Sequence, residues 1–326
     1  MAMMSTPMNP PLPAELVHHI LRFSAASSTS SCLTLCLVSS WVHDLAIPYL
    51  FSQVILTIPA RAHAFRTRVI RSTNPTHDAA NPLALIHNLW VSSNASVNFG
   101  VDILCKCPNL RHAAIDIQSF STLLSVELPP QESDECDSNE TDLHLTLFGS
   151  VRQNTQYPSR SAFTAPILER ITHLHLLTGS LPGPSIYLPR LTHLAMCFKH
   201  NHSFMNFVNT TLTSQSLQVL VLIVDTILAP FVRRAIVQRI GACRQKDERV
   251  WFVEIDMCQF DQDWVEEANG GETIWEKAVR QTTVWEKNRE VLAVNVAASV
   301  SSMAQIKVCD GVNGAECHQR IELLQA

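Results

Sequence analysis

A short pattern, apolar-x-x-apolar-x-apolar, recurs along the middle of the chain. It reads Ile86, Leu89, Val91, then Leu110, Ala113, Ile115, then Ile171, Leu174, Leu176. It returns as Leu191, Leu194, Met196, as Leu217, Leu220, Leu222, and as Val250, Val253, Ile255. Alternation at the end of each unit predicts a short strand with one face turned inward. Successive units start 24, 61, 20, 26 and 33 residues apart. Four of the five intervals lie in, or a few residues beyond, a period of about 20–29 residues. The long interval leaves room for a further strand at Leu143–Phe148, where Leu143, Leu145 and Leu147 alternate. Helical stripes fall between the strands: Val97, Val101 and Leu104 before Pro108, Phe120, Leu123 and Leu124 before Pro129, and the stretches 204–212 and 231–240. Strand, turn, helix and turn in repetition predict an α/β solenoid, with parallel strands on one face and helices on the other. A non-repeat α/β domain is the alternative.

The first 58 residues follow a different rhythm. Pro13 suits the first turn of a helix, where its missing N–H costs nothing. Leu16, Ile20 and Phe23 then recur at helical spacing, widened by Val17 and Leu21. The serine-rich run 25–31 breaks the pattern and can cap a second helix that starts at Leu33, Cys36 and Leu37. Trp41 and Leu45 belong to a third helix, expected to stop near Ala46 because Pro48 disfavours helix in the residue before it. Val54, Leu56 and Ile58 alternate as a strand. Three short helices make too small a core to stand unassisted.

Particular residues in this segment carry a resemblance. Leu12-Pro13-x-Glu15-Leu16, Ile20-Leu21, Cys36-x-Val38-Ser39-x-Trp41 and Leu45-Ala46-x-Pro48-x-Leu50-Phe51 are similar to the F-box motif. Two departures are the shorter step from Ser39 to Trp41 and the loose serine-rich link. The resemblance implies docking on a Skp-type linker subunit and, through it, on the cullin of a ubiquitin ligase. It assigns that contact to Leu12, Pro13, Glu15, Leu16, Ile20, Val38, Ser39 and Trp41, with the partner completing the core. The downstream units lack an asparagine ladder and resemble the degenerate leucine-rich-like repeats of fungal, basidiomycete-like F-box proteins. The expected organisation is a disordered N-terminus at 1–10, an F-box-like domain at 11–58, a solenoid at 59–290 with an acidic loop at 131–142, and a poorly ordered tail at 291–326.

In each strand unit the third and fifth positions alternate away from the core. They are Asn88 and Trp90, His112 and Ala114, His173 and His175, His193 and Ala195, Val219 and Val221, and Phe252 and Glu254. A face of aromatics, histidines and small apolar residues suits protein binding, and Trp90, His112, His173, His175, His193 and Phe252 are its candidate target-binding residues. His173, His175 and His193 also suggest converging metal ligands. Partly solvated histidines on a strand face are the simpler reading, so no metal and no other cofactor is expected.

Composition narrows the function classes. Of 326 residues, 46% are hydrophobic and 16% charged, which fits a globular chain with a substantial core. A net charge of −5 offers no electrostatic footprint for nucleic acid. The most apolar run, 219–232, is broken by Asp225 and Pro230 and is too short to span a bilayer, so no membrane is expected. No secretory signal is visible, and ten cysteines without a C-x-x-C read as reduced thiols of a cytoplasmic or nuclear protein. The loop 131–142 holds six carboxylates and reads as solvated. Arg233, Arg234, Arg239, Arg244, Lys246 and Arg249 read as the wet face of an outer helix. Gly270-Gly271 precede a helix expected to run from Glu272 to about Glu290, with Trp275 and Trp285 roughly 80° apart around it, and to cap the solenoid. Nucleophile-elbow, phosphate-loop, dinucleotide and H-E-x-x-H motifs are absent. The expectation is therefore a non-catalytic adaptor that recruits an unidentified target protein to a Skp–cullin–F-box ubiquitin ligase. The alternative is a ligase-independent binding scaffold with a degenerate F-box.

Overall fold

Helices α1 (Ala14–Ser27), α2 (Thr29–Leu35) and α3 (Ser40–Ser52) open the chain in the computed structural model, which describes residues 12–70, 81–92, 97–124, 141–149, 166–177, 188–199 and 202–309. Serines start the second and third helices: Ser28 accepts the Ser31 N–H at 3.1 Å and Ser39 accepts that of Val42 at 3.4 Å. The three helices close on a small core of Ala25, Cys32 and Ala46, with Leu35, Cys36, Tyr49 and Leu50 against it. The Cys32 thiol donates to the Ala46 carbonyl at 3.2 Å. Helix α3 does not stop near Ala46 but runs through Pro48 to Ser52. Asp44 and Pro48 are both exposed. The Asp44 carbonyl that loses its helical partner can therefore be hydrated, and packing of Val42 and Ala46 carries the helix onward.

The chain then builds one sheet. Its strands are β1 (Gln53–Leu56), β2 (Asn88–Val91), β3 (His112–Asp116), β4 (Leu143–Phe148), β5 (Ile171–Leu176), β6 (His193–Cys197), β7 (Val219–Asp225) and β8 (Val250–Ile255). Every neighbouring pair is parallel and the order across the sheet is the order along the chain. The strand expected within the long interval is β4. The strand that closes the F-box-like segment is β1, the sheet's first edge, so that segment is continuous with the sheet.

Between strands lie α4 (Pro59–Phe65, extended by a π-helical turn over Arg66–Ile70), α5 (Val97–Lys106), α6 (Ile117–Leu123), α7 (Pro166–Glu169), α8 (His202–Leu212) and α9 (Pro230–Arg244). The main core sits between these helices and one face of the sheet. In register across that face run Leu89, Ala113, Leu145, Leu174, Leu194, Leu220 and Val250. Ile103, Phe120, Val208 and Ile240 meet them from the helices. The fold class is thus α/β with an all-parallel sheet, as the alternation of strand and helix predicts.

The other face is covered too, which the sequence pattern does not anticipate. Helices α10 (Phe260–Ala268) and α11 (Ile274–Cys309) bring Phe260, Trp264, Ile274 and Ala278 against Trp90, Ala114, Ala195, Val221 and Val253. Helix α11 also continues well past Glu290. No glycine or proline occurs between Glu272 and Asp310, so nothing in the backbone stops it. The tail expected to be poorly ordered from 291 is helical as far as Cys309. The expectations for 1–10, for most of the acidic loop and for 310–326 fall outside the described residues.

The basic stretch is only partly a wet face. Arg249 gathers the carbonyls of Leu212, Ser214 and Leu217 while paired with Asp247 at 2.7 Å. Arg233 pairs with Glu254, and Arg244 pairs with Glu286 and lies 3.8 Å over the Trp251 ring. These cations tie loops and α11 to the last strands.

Candidate functional site

Two arrangements stand out. The first is an apolar face on the N-terminal helices. Leu16 (47%), Ile20 (50%), Leu37 (88%), Val38 (64%) and Trp41 (52%) are exposed, as are Leu12 and Phe23. Pro13, Glu15 and Ser39 lie among them at the surface. The stripe on α1 splits: Val17, Leu21 and Ala25 turn inward, while Leu16, Ile20 and Phe23 turn out. All eight residues assigned to the linker contact are thus on the surface.

The second arrangement is a histidine ladder on the inner face of the sheet. His112, His144, His173 and His193 occupy equivalent places on β3, β4, β5 and β6. The rings of His144 and His173 stack at 3.8 Å, and those of His173 and His193 at 4.1 Å. The stack breaks at the other end, where His112 meets His144 edge-on at 62°. Thr172 and Thr192 hold the Nδ1 atoms of His173 and His193 at 2.9 and 2.8 Å. These threonines precede their histidines in the repeated Thr-His pair, whereas Arg111 precedes His112 and Leu143 precedes His144. Among the described residues, the Nδ1 of His144 is buried without a hydrogen-bond partner.

Trp275 crosses the ladder edge-on at His173 and His193, with ring centroids 5.5 and 5.3 Å away. Glu267, near the end of α10, approaches the opposite end. Ligand atoms of Glu267, His112 and His144 all lie within 4.8 Å of one another. Their small cavity, about 10 Å³, is also lined by His173, His175 and Trp264. One carboxylate oxygen of Glu267 accepts the Ile274 N–H at 3.3 Å, where α11 begins.

Burial governs the charge of these groups. It pushes His144 down to about 3, assisted by His112 and His193, and His173 down to about 2, assisted by its neighbours on the ladder. Burial alone takes His175 to about 3 and lowers His193, and with Arg111 it lowers His112. It raises Glu267 to about 7. At neutral pH the imidazoles are neutral, which makes them acceptors and metal ligands rather than cations. The Cys107 thiol, pushed up to about 12 by burial, stays protonated and is no nucleophile.

The expected target-binding face is therefore not an open one. Trp90 is 8% exposed, stacked on Phe148 at 5.0 Å and met edge-on by Trp264 at 5.2 Å. His175 lies buried against Phe260 at 4.9 Å. His112, His173 and His193 are half-buried under α10 and α11. Phe252 lies on the opposite face altogether, because Val250 pairs with Leu220 and Phe252 with Leu222. Reading Val250 as the first residue of its unit misplaces the phase by an odd number of residues, which exchanges the two faces. Phe252 packs in the main core against Trp285 at 5.9 Å. Glu267 and His144 escape sequence reasoning, since Glu267 lies outside the repeats and His144 outside any recognised unit. Only the alternation of Leu143, Leu145 and Leu147 points to His144.

Among the described residues, no helix is long and apolar enough to cross a membrane. No family model, curated protein or solved structure matches this chain.

Proposed function

We propose that this chain is the non-catalytic, target-recruiting subunit of a Skp–cullin–F-box ubiquitin ligase, acting in the cytoplasm or nucleus. The observation that carries the reading is the exposed apolar face of α1–α3 at the positions of the F-box-like motif. Leu16, Ile20, Val38 and Trp41 stand open beside a small core built around Ala25, Cys32 and Ala46. Each such side chain gains about 1.5–3 kcal/mol when fully buried, so a partner helix laid on this face would complete the half-core. The order of the sheet supports the second half of the reading, a leucine-rich-like solenoid. Parallel strands arranged in chain order are what stacked repeat units produce. Target recruitment then falls to exposed parts of that body. Ile227 in the turn after β7 and Phe231 at the start of α9, 73% and 74% exposed, offer apolar surface suited to it.

The test is capture of a purified linker–cullin pair by the full chain and by a Leu16→Glu/Ile20→Glu variant. Both substitutions fall on exposed positions, so the variant keeps its fold. Capture by the parent chain and at least a roughly 100-fold weaker association for the variant is the expected result. Equal capture of both sinks the proposal. Target retention without any linker association would make the chain a ligase-independent scaffold instead.

A further inference from the structure

The geometry points to a metal site that joins the sheet to its C-terminal cap: His112, His144 and Glu267 together bind one divalent cation of the zinc class. The inference is independent of the ligase reading. Three observations carry it. The ligand atoms of the three side chains already lie within 4.8 Å of one another. Around zinc, bonds of about 2.0–2.2 Å put tetrahedral ligands roughly 3.4 Å apart, so small torsional changes close the site. The Nδ1 of His144 is buried without a partner, although His173 and His193 on the same ladder each have a threonine hydroxyl. A buried imidazole nitrogen with no partner is an unmet bonding site, and it marks His144 as the ladder histidine whose polar needs the fold leaves open. Third, the ladder stops stacking at this end, where His112 turns 62° to His144 and Glu267 arrives from α10.

The donor set selects the metal. Two imidazole nitrogens and one carboxylate oxygen suit zinc and its neighbours, whereas calcium and magnesium require six or more oxygens. Three protein ligands leave a fourth position of the tetrahedron for a water. Among the described residues His112, His144 and Glu267 are the group of possible ligands that converges, which places the metal at this end of the ladder. The ion would hold α10 against β3 and β4, so its consequence is a locked cap.

The experiment uses the full chain without a histidine tag, stripped by chelator and titrated with zinc by calorimetry and thermal melting. One equivalent is expected to bind, with Tm rising by several degrees when free zinc exceeds Kd by about 100-fold. Glu267→Gln, which keeps the shape and can still accept the Ile274 N–H, and His112→Asn should each weaken binding by about 10-fold or more. Cys258→Ser, outside the site, should bind as the parent does. No stoichiometric binding by the parent chain overturns the site. So does unchanged affinity in both Glu267→Gln and His112→Asn, which would place the ion on other ligands. Circular dichroism of each variant separates lost binding from lost fold.

Discussion

At the scale of single residues, the contacts that join the last strand to α11 are the most consequential. Thr282 is buried and its hydroxyl both accepts the Phe252 N–H at 3.0 Å and donates to the Phe252 carbonyl at 3.1 Å. Gln281 does the same for Glu254, accepting at 2.7 Å and donating at 3.3 Å. Side chains thereby take the place of a neighbouring strand along the outer edge of β8 among the described residues. Thr282→Val keeps the volume but leaves two backbone groups unpaired, and is expected to destabilise the chain by about 1–3 kcal/mol in urea titration. Gly241 on α9 is a second such position. A methyl group there would run into the Trp285 ring, so Gly241→Ala is expected to lower stability by about 1–3 kcal/mol despite its better helix propensity. A third prediction concerns protons. His175 titrates near 3 in the fold because it is buried, against about 6.5 unfolded. Between those values the unfolded chain holds a proton that the folded chain does not. The stability this group contributes is therefore complete above about pH 6.5 and is lost as pH falls, at about 1.4 kcal/mol per pH unit. Urea melts across that window should show the slope, and His175→Leu should reduce it by the equivalent of one proton. An unchanged slope would mean that His175 is hydrated in the fold.

At the scale of elements, the sheet and the cap differ in how far the chain announces them. The strands follow from alternation, and even β4, which belongs to no complete unit, is marked by Leu143, Leu145 and Leu147. Which face a strand turns inward is legible only where the phase is secure. In β7 the leucines at 217, 220 and 222 fix it. In β8 every residue except Glu254 is apolar, so Val250, Phe252 and Val253 satisfy either phase and only pairing with β7 decides. The cap is legible in part, since Trp275 sits in the helix expected from Glu272, but α10 and the place of both helices over the ladder are not. That depends on a long-range return of the chain that local periodicity does not encode. The two tryptophans of α11 show the arrangement plainly. Trp275 lies on the histidine side of the sheet and Trp285 reaches the main core, as expected of residues about 80° apart around one helix. Helix α11 thus closes the sheet's edge and touches both faces. Shortening the chain to residue 273 should therefore expose an unpaired parallel edge and the aromatic cluster of Trp90 and Trp264 together. The expected outcome is self-association, seen by light scattering, with loss of exchange protection at the Phe252 and Glu254 amides.

At the scale of the whole molecule, stability is unevenly distributed. The main core runs without a break from Val54 on β1 to Phe252 on β8, and the second cluster adds a further layer over the opposite face. The three N-terminal helices share little of this. Their own core is three small side chains with Leu35, Cys36, Tyr49 and Leu50 against it, and they join the rest through α3, which runs into β1, touches the turn Pro82–Leu85 and accepts the His87 N–H at the Ser52 carbonyl at 3.1 Å. Local opening needs less free energy where few apolar contacts must be broken, so α1 and α2 should open without the sheet. Hydrogen exchange on the free chain is expected to be fast at the amides of 16–35 and slow at those of β4 to β7. The same experiment bears on the ligase reading. A linker subunit seated on Leu16, Ile20 and Trp41 would bury the face that opening exposes, and should slow exchange in α1–α3 by about 10-fold or more while leaving β4 to β7 unchanged. Protection spread evenly over the sheet would instead mean that the helices and the sheet unfold as one cooperative unit, and a linker that protects β5 and β6 alone would place its contact on the wrong half of the molecule.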